Sequence, residues 1–367
     1  MKKIIALTLA LVMVLLCLAG CGSKNSNDTV MTVNGVDISW DEYMFWIGYG
    51  AMYLNYQYSM YGGEVDWTGE ISEGVTAAQW CVDYATETVT QKGVLLSKCA
   101  EKGITLNDEE KAEVQKNIDD LKTQTCGENA TDEQFEAYLK TNQFSNLKVL
   151  RASQEATVLT NKLFNALYGE DGANVSEDEL LKAAGDEGYT MANHILFLFK
   201  DDEGNERSDA EKAAGKAKLE GFMQELNAIE DNDERYARFQ ELKEENCEDT
   251  GTTAYEFKEG TMVQEFYDMS VSLEPYAMDI AETSYGYHLI IGLPLDLDYA
   301  VSSQSSNSAT LRETLLNDMY GDQLSQWQKE AEVVTATAFA DYDFTTAFGS
   351  SGFIYQSWAD KSAAKSK

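Results

Sequence analysis

Ala192-Asn193-His194-Ile195-Leu196-Phe197-Leu198-Phe199 is an apolar run with a single imidazole near its start, and Tyr285-Gly286-Tyr287-His288-Leu289-Ile290-Ile291 repeats the pattern further along the chain. Both are short and rich in branched or aromatic side chains, which reads as buried strand. His194 and His288 are the only 2 histidines in 367 residues. A lone histidine in such a run is usually a hydrogen-bonded core or surface residue. Two at matching strand positions, with none elsewhere, call for one explanation.

Residues 189–297 read as strand, helix, helix, loop, helix, strand. Ser208 with Glu211 caps the first helix, whose core stripe is Leu219, Phe222, Met223 and Leu226. Tyr236, Phe239 and Leu242 mark the second helix, and Thr261 with Gln264 is expected to start the third. The resulting β-α-α-α-β-β order, with a histidine at each end, resembles a parvulin-type peptidyl-prolyl isomerase domain. Three segments carry the resemblance: Phe239 to Gly251, which includes Asn246-Cys247-Glu248-Asp249; Phe257-Lys258-Glu259-Gly260-Thr261-Met262-Val263-Gln264-Glu265-Phe266; and Thr283-Ser284-Tyr285-Gly286-Tyr287-His288.

The resemblance implies catalytic positions at His194, Asp249 and His288. Asp249 takes the place of the active-site Asp or Cys, and the histidines hold the hydrogen-bond network rather than transfer protons. Met262 and Phe266, at i and i+4 of one helix, become walls of a proline pocket. Thr283 would bond the histidine pair, and Tyr285 would line the rim. The chemistry needs little covalent work: an X–Pro bond must rotate against ~18–20 kcal/mol. A catalyst has to favour the twisted amide over both planar forms, and a water-poor cup weakens amide resonance. The chain departs from the family in one place. The usual Gly-Gly-Asp-Leu-Gly is missing, and only Gly251 to Glu256 separates Asp249 from Phe257, which bears on turnover more than on fold. Lys200 is followed by Asp201, Asp202 and Glu203, so an acidic entrance is expected, with no preference for phosphorylated Ser/Thr–Pro sites.

Upstream, Val33-Asn34-Gly35-Val36 is a hairpin-turn signal in a short extended arm at 29–38. Ser39 with Glu42 opens a helix crowded with Trp40, Tyr43, Phe45, Trp46, Tyr49, Tyr53 and Tyr56. Thr76 with Gln79, Asn107 with Glu110, Thr131 with Gln134, and Ser176 with Glu179 open further helices, and a long one runs from about Asn146 to Tyr168. This order of parts resembles the N-terminal chaperone module of SurA- and PrsA-type foldases. A late helix with Leu316, Tyr320, Leu324, Trp327 and Ala331 on one face is, by that resemblance, expected to complete the module. The fold class is therefore α+β: a helical module at 29–188, an inserted parvulin domain with a small antiparallel sheet at 189–297, a returning C-terminal helix at 298–340, and a tail at 341–367 whose last residues, 362–367, should fray.

At the other end, Met1-Lys2-Lys3, an apolar stretch from Ile4 to Ala19, and Leu18-Ala19-Gly20-Cys21 resemble a bacterial lipoprotein signal. The resemblance implies a signal peptide at 1–20, acylation of Cys21, a flexible tether at 21–28, and anchoring to the outer face of the cytoplasmic membrane. An uncleaved spanning helix is the alternative reading of the same stretch. The formal charge of -35, from 28 basic and 63 acidic residues, repels nucleic acid and anionic headgroups. The 6 cysteines include no CxxC and no metal-ligand spacing, so no metal or cofactor is expected. Cys81, Cys99, Cys126 and Cys247 are compatible with free thiols or with pairing in an oxidising compartment, and buried structural cysteines are the favoured reading.

The expected partners are unfolded secreted proteins with X–Pro bonds and, through Cys21, the membrane; the sequence admits a homodimer without requiring one. Two competing functions come from other classes. One is a holdase that uses the parvulin domain as scaffold, motivated by the short loop and the aromatic first helix. The other is a solute-binding lipoprotein, ranked last because the repeated β-α pattern of two-lobed binding folds is missing.

Overall fold

Helix starts follow the capping side chains in the sequence. Ser39, Thr76, Asn107, Thr131, Ser176 and Ser208 each accept a hydrogen bond from the backbone N–H three residues on. The chain is described here from a computed structural model covering residues 28–141, 146–249, 251, 253–301, 309–349 and 351–365. Cys21 and the apolar stretch before it lie outside the described residues, as does the Ser/Asn/Gln run 302–308.

Along the chain, β1 (Thr29–Val33) and β2 (Val36–Ser39) lead into α1 (Trp40–Met60). A hairpin of β3 (Glu70–Ser72) and β4 (Val75–Thr76) precedes α2 (Ala77–Glu101), α3 (Asp108–Cys126), α4 (Asp132–Thr141) and α5 (Leu147–Tyr168). Then come α6 (Glu177–Asp186), β5 (Thr190–Leu198), α7 (Asp209–Asn227) and α8 (Asn232–Asn246). They are followed by β6 (Tyr255–Phe257), α9 (Gln264–Ser272), β7 (Met278–Glu282) and β8 (Gly286–Leu293). The chain continues with α10 (Leu311–Glu330), β9 (Val333–Thr335), the pair β10 (Phe348–Gly349) and β11 (Gly352–Phe353), and α11 (Trp358–Lys365). Two compact units result: Met1–Leu163 with Leu324–Lys367, and Phe164–Gln323 between them in sequence.

In the first unit Asn34 (φ 48) and Gly35 (φ 79) both adopt left-handed backbone, the requirement of a two-residue hairpin whose twist matches its strands. β1 also pairs antiparallel with β9, giving the order β2-β1-β9. The strand Val333–Thr335 falls inside a segment that reads from sequence as helix; it is three residues long and exposed on both faces, so it carries no alternation to reveal it. α1 packs on α2, where a Cβ on Gly50 would meet Tyr84 at 3.3 Å. The tail is built into this core: Phe339, Phe344 and Phe353 are buried in the same cluster as Trp40. The indole Nε1 of Trp40 donates to the carbonyl of Gln356 at 2.8 Å, and Lys361 Nζ lies 4.1 Å from the Trp40 ring centroid. Residues 362–365, expected to fray, belong to α11.

The second unit holds an antiparallel sheet of order β6-β5-β8-β7. Ile195, Leu289 and Ile291 face a core with Leu219, Leu226, Phe239 and Leu242 of α7 and α8. Ala192 and Ile290 lie on the other face, in a core with Phe257 and with Phe266 of α9. β6 falls in a stretch that reads from sequence as loop; three residues give too little pattern to mark a strand. One expectation is corrected. Thr261 does not cap α9, whose N-cap is Val263 with no side-chain bond. A turn closed by the Thr261 N–H on the Lys258 carbonyl, with Gly260 at φ 85, takes Thr261 into the turn and starts the helix later.

Candidate active site

The sheet register brings the two histidines together. His194 lies opposite Ile290 and Leu196 opposite His288, so the imidazoles are diagonal neighbours on one face of adjacent strands. Their Nδ1 atoms are 2.9 Å apart, and the rings are nearly parallel with centroids at 5.1 Å. Gly286 makes the register possible: a Cβ there would sit 1.9 Å from the Phe197 carbonyl oxygen on β5.

Asp249 is delivered by an extended run that leaves α8 at Cys247 (φ -74, ψ 129) and follows the part of β5 that β6, pairing only at Thr190–Ala192, leaves uncovered. The Glu248 N–H donates to the Leu196 carbonyl at 2.9 Å, and the Cys247 thiol accepts from the Leu196 N–H at 3.2 Å. Glu248 accepts from the Leu198 N–H at 2.7 Å and takes the two-pronged fork of Arg207 at 2.8 and 3.0 Å. Asp249 Oδ2 then meets His194 Nε2 at 2.9 Å. The short connection to β6 therefore leaves Asp249 against the histidine. Gly251 fits inside it because a Cβ would fall 1.9 Å from the Tyr255 hydroxyl.

A single directional chain accounts for all four ring nitrogens. The Tyr285 N–H donates to Thr283 Oγ1 at 3.1 Å, and the Thr283 hydroxyl donates to His288 Nε2 at 2.9 Å. His288 Nδ1–H then donates to His194 Nδ1, and His194 Nε2–H donates to the Asp249 carboxylate. The Tyr255 hydroxyl supplies a second donor to Asp249 at 3.3 Å. The His288 ring is neutral in this arrangement. Burial, and then the neighbouring His194, push His288 down to about 3. Asp249 is held well below the usual carboxylate range, first by the His194 hydrogen bond. With His194 only 5 % and His288 4 % exposed, the pair orients the site and is poorly placed to exchange protons with a ligand.

The remaining expected positions divide. Phe266 presents its ring to both imidazoles, with centroids at 5.2 and 5.4 Å and steep interplanar angles, and forms the floor beneath them. Met262 packs into the same cluster but precedes α9, so it and Phe266 are not i, i+4 neighbours on one helix; the displaced helix start is the reason. Tyr285 joins the chain through its backbone N–H, and the residue is 59 % exposed. Among the described residues no group of three or more His, Cys, Asp or Glu side chains is placed to hold a metal ion.

Sequence reasoning misses a layer behind Asp249. Lys243 is buried on α8, and its Nζ donates to Asn193 Oδ1 at 2.6 Å and lies 5.9 Å from the Tyr255 ring centroid. Asn193 also receives the His194 N–H at 2.8 Å and donates to the Tyr236 hydroxyl at 3.1 Å. Burial lowers the Lys243 pKa, while Cys247 and Asp249 act to restore it. The signal available is position alone, since Lys243 falls four residues after Phe239 on the apolar side of its helix. Lys243→Met removes the ammonium at nearly constant volume. Isomerase kcat/KM is expected to fall about tenfold, or ~1.4 kcal/mol. The urea midpoint should move little, because the lost bond is offset by relief from burying a charge. Unchanged kcat/KM would leave Lys243 as packing only.

The sheet, its buried imidazole pair and the edge carboxylate agree with the comparison of sequences: residues 179–291 match the family model described as the PPIC-type PPIASE domain. The second unit thus carries a parvulin-type peptidyl-prolyl isomerase domain, and the chain has the α+β architecture that goes with it. Among solved structures the chain is similar to the peptidylprolyl isomerase PrsA from Bacillus anthracis, at 16% identity over 67% of this chain and 95% of that one, with a TM-score of 0.26. It is similar also to PrsA from Bacillus subtilis (17% identity, 72% and 92% covered, TM-score 0.21). A third is the foldase protein PrsA from Streptococcus pneumoniae (16% identity, 77% and 90% covered, TM-score 0.21). No curated protein matches the chain.

Proposed function

We propose that the protein is a lipid-anchored, extracytoplasmic foldase that rotates X–Pro bonds in secreted client chains and binds those chains while they are unfolded. The observation that carries the catalytic half is the Thr283–His288–His194–Asp249 hydrogen-bond chain, buried at its centre and ending in a partly exposed carboxylate. Such a chain fixes the Asp249 charge beside the path of the rotating carbonyl, while the partly buried Met262 offers the prolyl ring an apolar contact with the buried Phe266 behind it. Transition-state preference then comes from positioning and from a water-poor surface. The anchoring half rests on the Leu18-Ala19-Gly20-Cys21 pattern alone. No helix among the described residues is long and apolar enough to cross a membrane.

A protease-coupled proline isomerisation assay tests the catalytic reading. The wild-type chain should accelerate isomerisation of an Ala–Pro peptide, and Asp249→Ala should lower kcat/KM by at least about tenfold. A wild-type rate equal to the uncatalysed one would transfer the reading to the holdase function. Selectivity gives a second test. Arg207 beside this edge is engaged by Glu248, and Lys200 is followed at once by Asp201, Asp202 and Glu203. A phosphoserine–proline peptide should therefore bind more weakly than its unmodified twin in a competition assay.

A further inference from the structure

From Tyr43 to Gly63 the sequence has no charged residue, in a chain that is 25% Asp, Glu, Lys and Arg. Most of that window is α1, and the helix is divided lengthwise. Met44, Ile47, Ala51 and Leu54 are buried on one side. Tyr49, Met52, Tyr53, Tyr56 and Met60 fall at i, i+3, i+4, i+7 and i+11 on the other, followed by Tyr61, and all six are exposed, from 39% at Tyr49 to 89% at Tyr61. The stripe is continued onto α2 by ring contacts, with Tyr53 stacked on Trp80 at 6.0 Å and Tyr49 on Tyr84 at 6.2 Å. Uncharged, Tyr- and Met-rich surface of this size calls for a partner.

Where the chain enters the unit singles out that partner. The Asp28 carbonyl accepts from the Trp40 N–H at 2.7 Å, so the last residue of the tether sits at the first turn of α1. The seven steps from Cys21 to Asp28 span at most about 25 Å. At 1.5 Å per residue the stripe lies about 14–30 Å along α1 from that same point. We propose that the Tyr/Met stripe of α1 is a membrane-contact surface that lies in the headgroup layer of the bilayer holding Cys21. Tyrosine rings favour that depth, being apolar in body and polar at the tip. The window's freedom from carboxylates is what an interfacial surface needs in a protein whose overall charge is so acidic. The proposal rests on the lipid-anchor reading and adds which face of the first unit turns to the membrane.

The test uses the lipidated full chain carrying Tyr56→Trp, reconstituted into phosphatidylcholine vesicles, with brominated phosphatidylcholine as quencher. Flotation with the vesicles reports the anchor. Quenching of the indole introduced at position 56, after subtraction of the signal from the chain without it, reports the surface. Expected are flotation and a loss of about half of the introduced indole's emission. Adding Met52→Ser, Met60→Ser and Tyr61→Ser should reduce quenching about threefold or more while leaving flotation and the thermal midpoint unchanged. Phosphatidylglycerol vesicles should quench less, since the acidic chain is repelled. Flotation without quenching overturns the surface and keeps the anchor. Absence of flotation overturns the anchor, and the soluble Cys21→Ser chain, unquenched at millimolar lipid, then overturns the surface too. Loss of unfolded-client binding in the triple variant, with vesicle quenching intact, assigns the stripe to clients. A dimer that dissociates in that variant assigns it to a second copy.

Discussion

Gly286→Ala is expected to unfold the second unit. The added methyl would lie 1.9 Å from the Phe197 carbonyl oxygen, 2.8 Å from its carbon and 3.0 Å from Leu198 Cα. All three are backbone atoms of the paired central strand, so no side chain can swing aside. Gly286 opposes Leu198 at the end of the β5–β8 ladder, two residues before His288. Relief requires opening that ladder and with it the imidazole contact. The cost should reach about 4 kcal/mol, comparable to the whole stability of a marginal domain. Gly221→Ala is the control: Gly221 lies in α7 with nothing within 4 Å of the position a methyl would take, and the substitution should gain about 0.5–1 kcal/mol from helix propensity. Urea unfolding of both variants, followed by near-ultraviolet circular dichroism, decides the matter. A Gly286→Ala midpoint equal to wild type would disprove the tight approach of the two strands.

Acid should weaken the same unit through His288. Its pKa is about 3 in the folded chain against an ordinary value of 6.5. Between those values the unfolded chain binds a proton that the folded one does not. Stability from this group is complete above pH 6.5 and is lost as pH falls, at ~1.4 kcal/mol per unit, so about 3 kcal/mol disappears by pH 4. Asp249, also depressed, adds loss of the same sign at still lower pH. Glu256 acts in the opposite direction: burial pushes it up to about 7, so its contribution falls as pH rises from 4.5. Comparing wild type with His288→Asn separates the terms, since the variant retains Glu256. The wild-type midpoint should fall further than the variant's between pH 7.5 and about pH 4.5. Equal shifts would mean that the imidazole is not held neutral.

Much of this site is readable before any coordinates. Two histidines in apolar runs, a Thr five residues before the second, and an Asp after an amphipathic helix sit in patterns whose period fixes their faces. Strand alternation groups His194 with Ala192 and His288 with Ile290, but the register that makes the rings neighbours is set by the β5–β8 pairing and is not read from either strand alone. Helix starts are legible wherever a short polar side chain sits before the helix. At Thr261 the same pattern misleads, because a glycine turn absorbs the threonine. β6 and β9 stay hidden because three-residue strands are made by their partners and not by their own sequence. Lys243 and Asn193 stay hidden for another reason: a buried amine is recognisable only once its acceptor, distant in sequence, is known.

The pairing of β1 with β9 and the seating of Lys361 over Trp40 join the beginning of the first unit to residues some three hundred positions later. A nascent chain that emerges amino end first has Val33, Trp40 and α1 available long before Val333 or Lys361 exists. The second unit, whose segments are contiguous, can fold as soon as Gln323 is out, whereas the first waits for the closing strand. Pairings of such separation are slow to form and leave apolar surface uncovered meanwhile. Maturation of this protein is therefore ordered from the middle outward, and its own aromatic core is for a time an unprotected client.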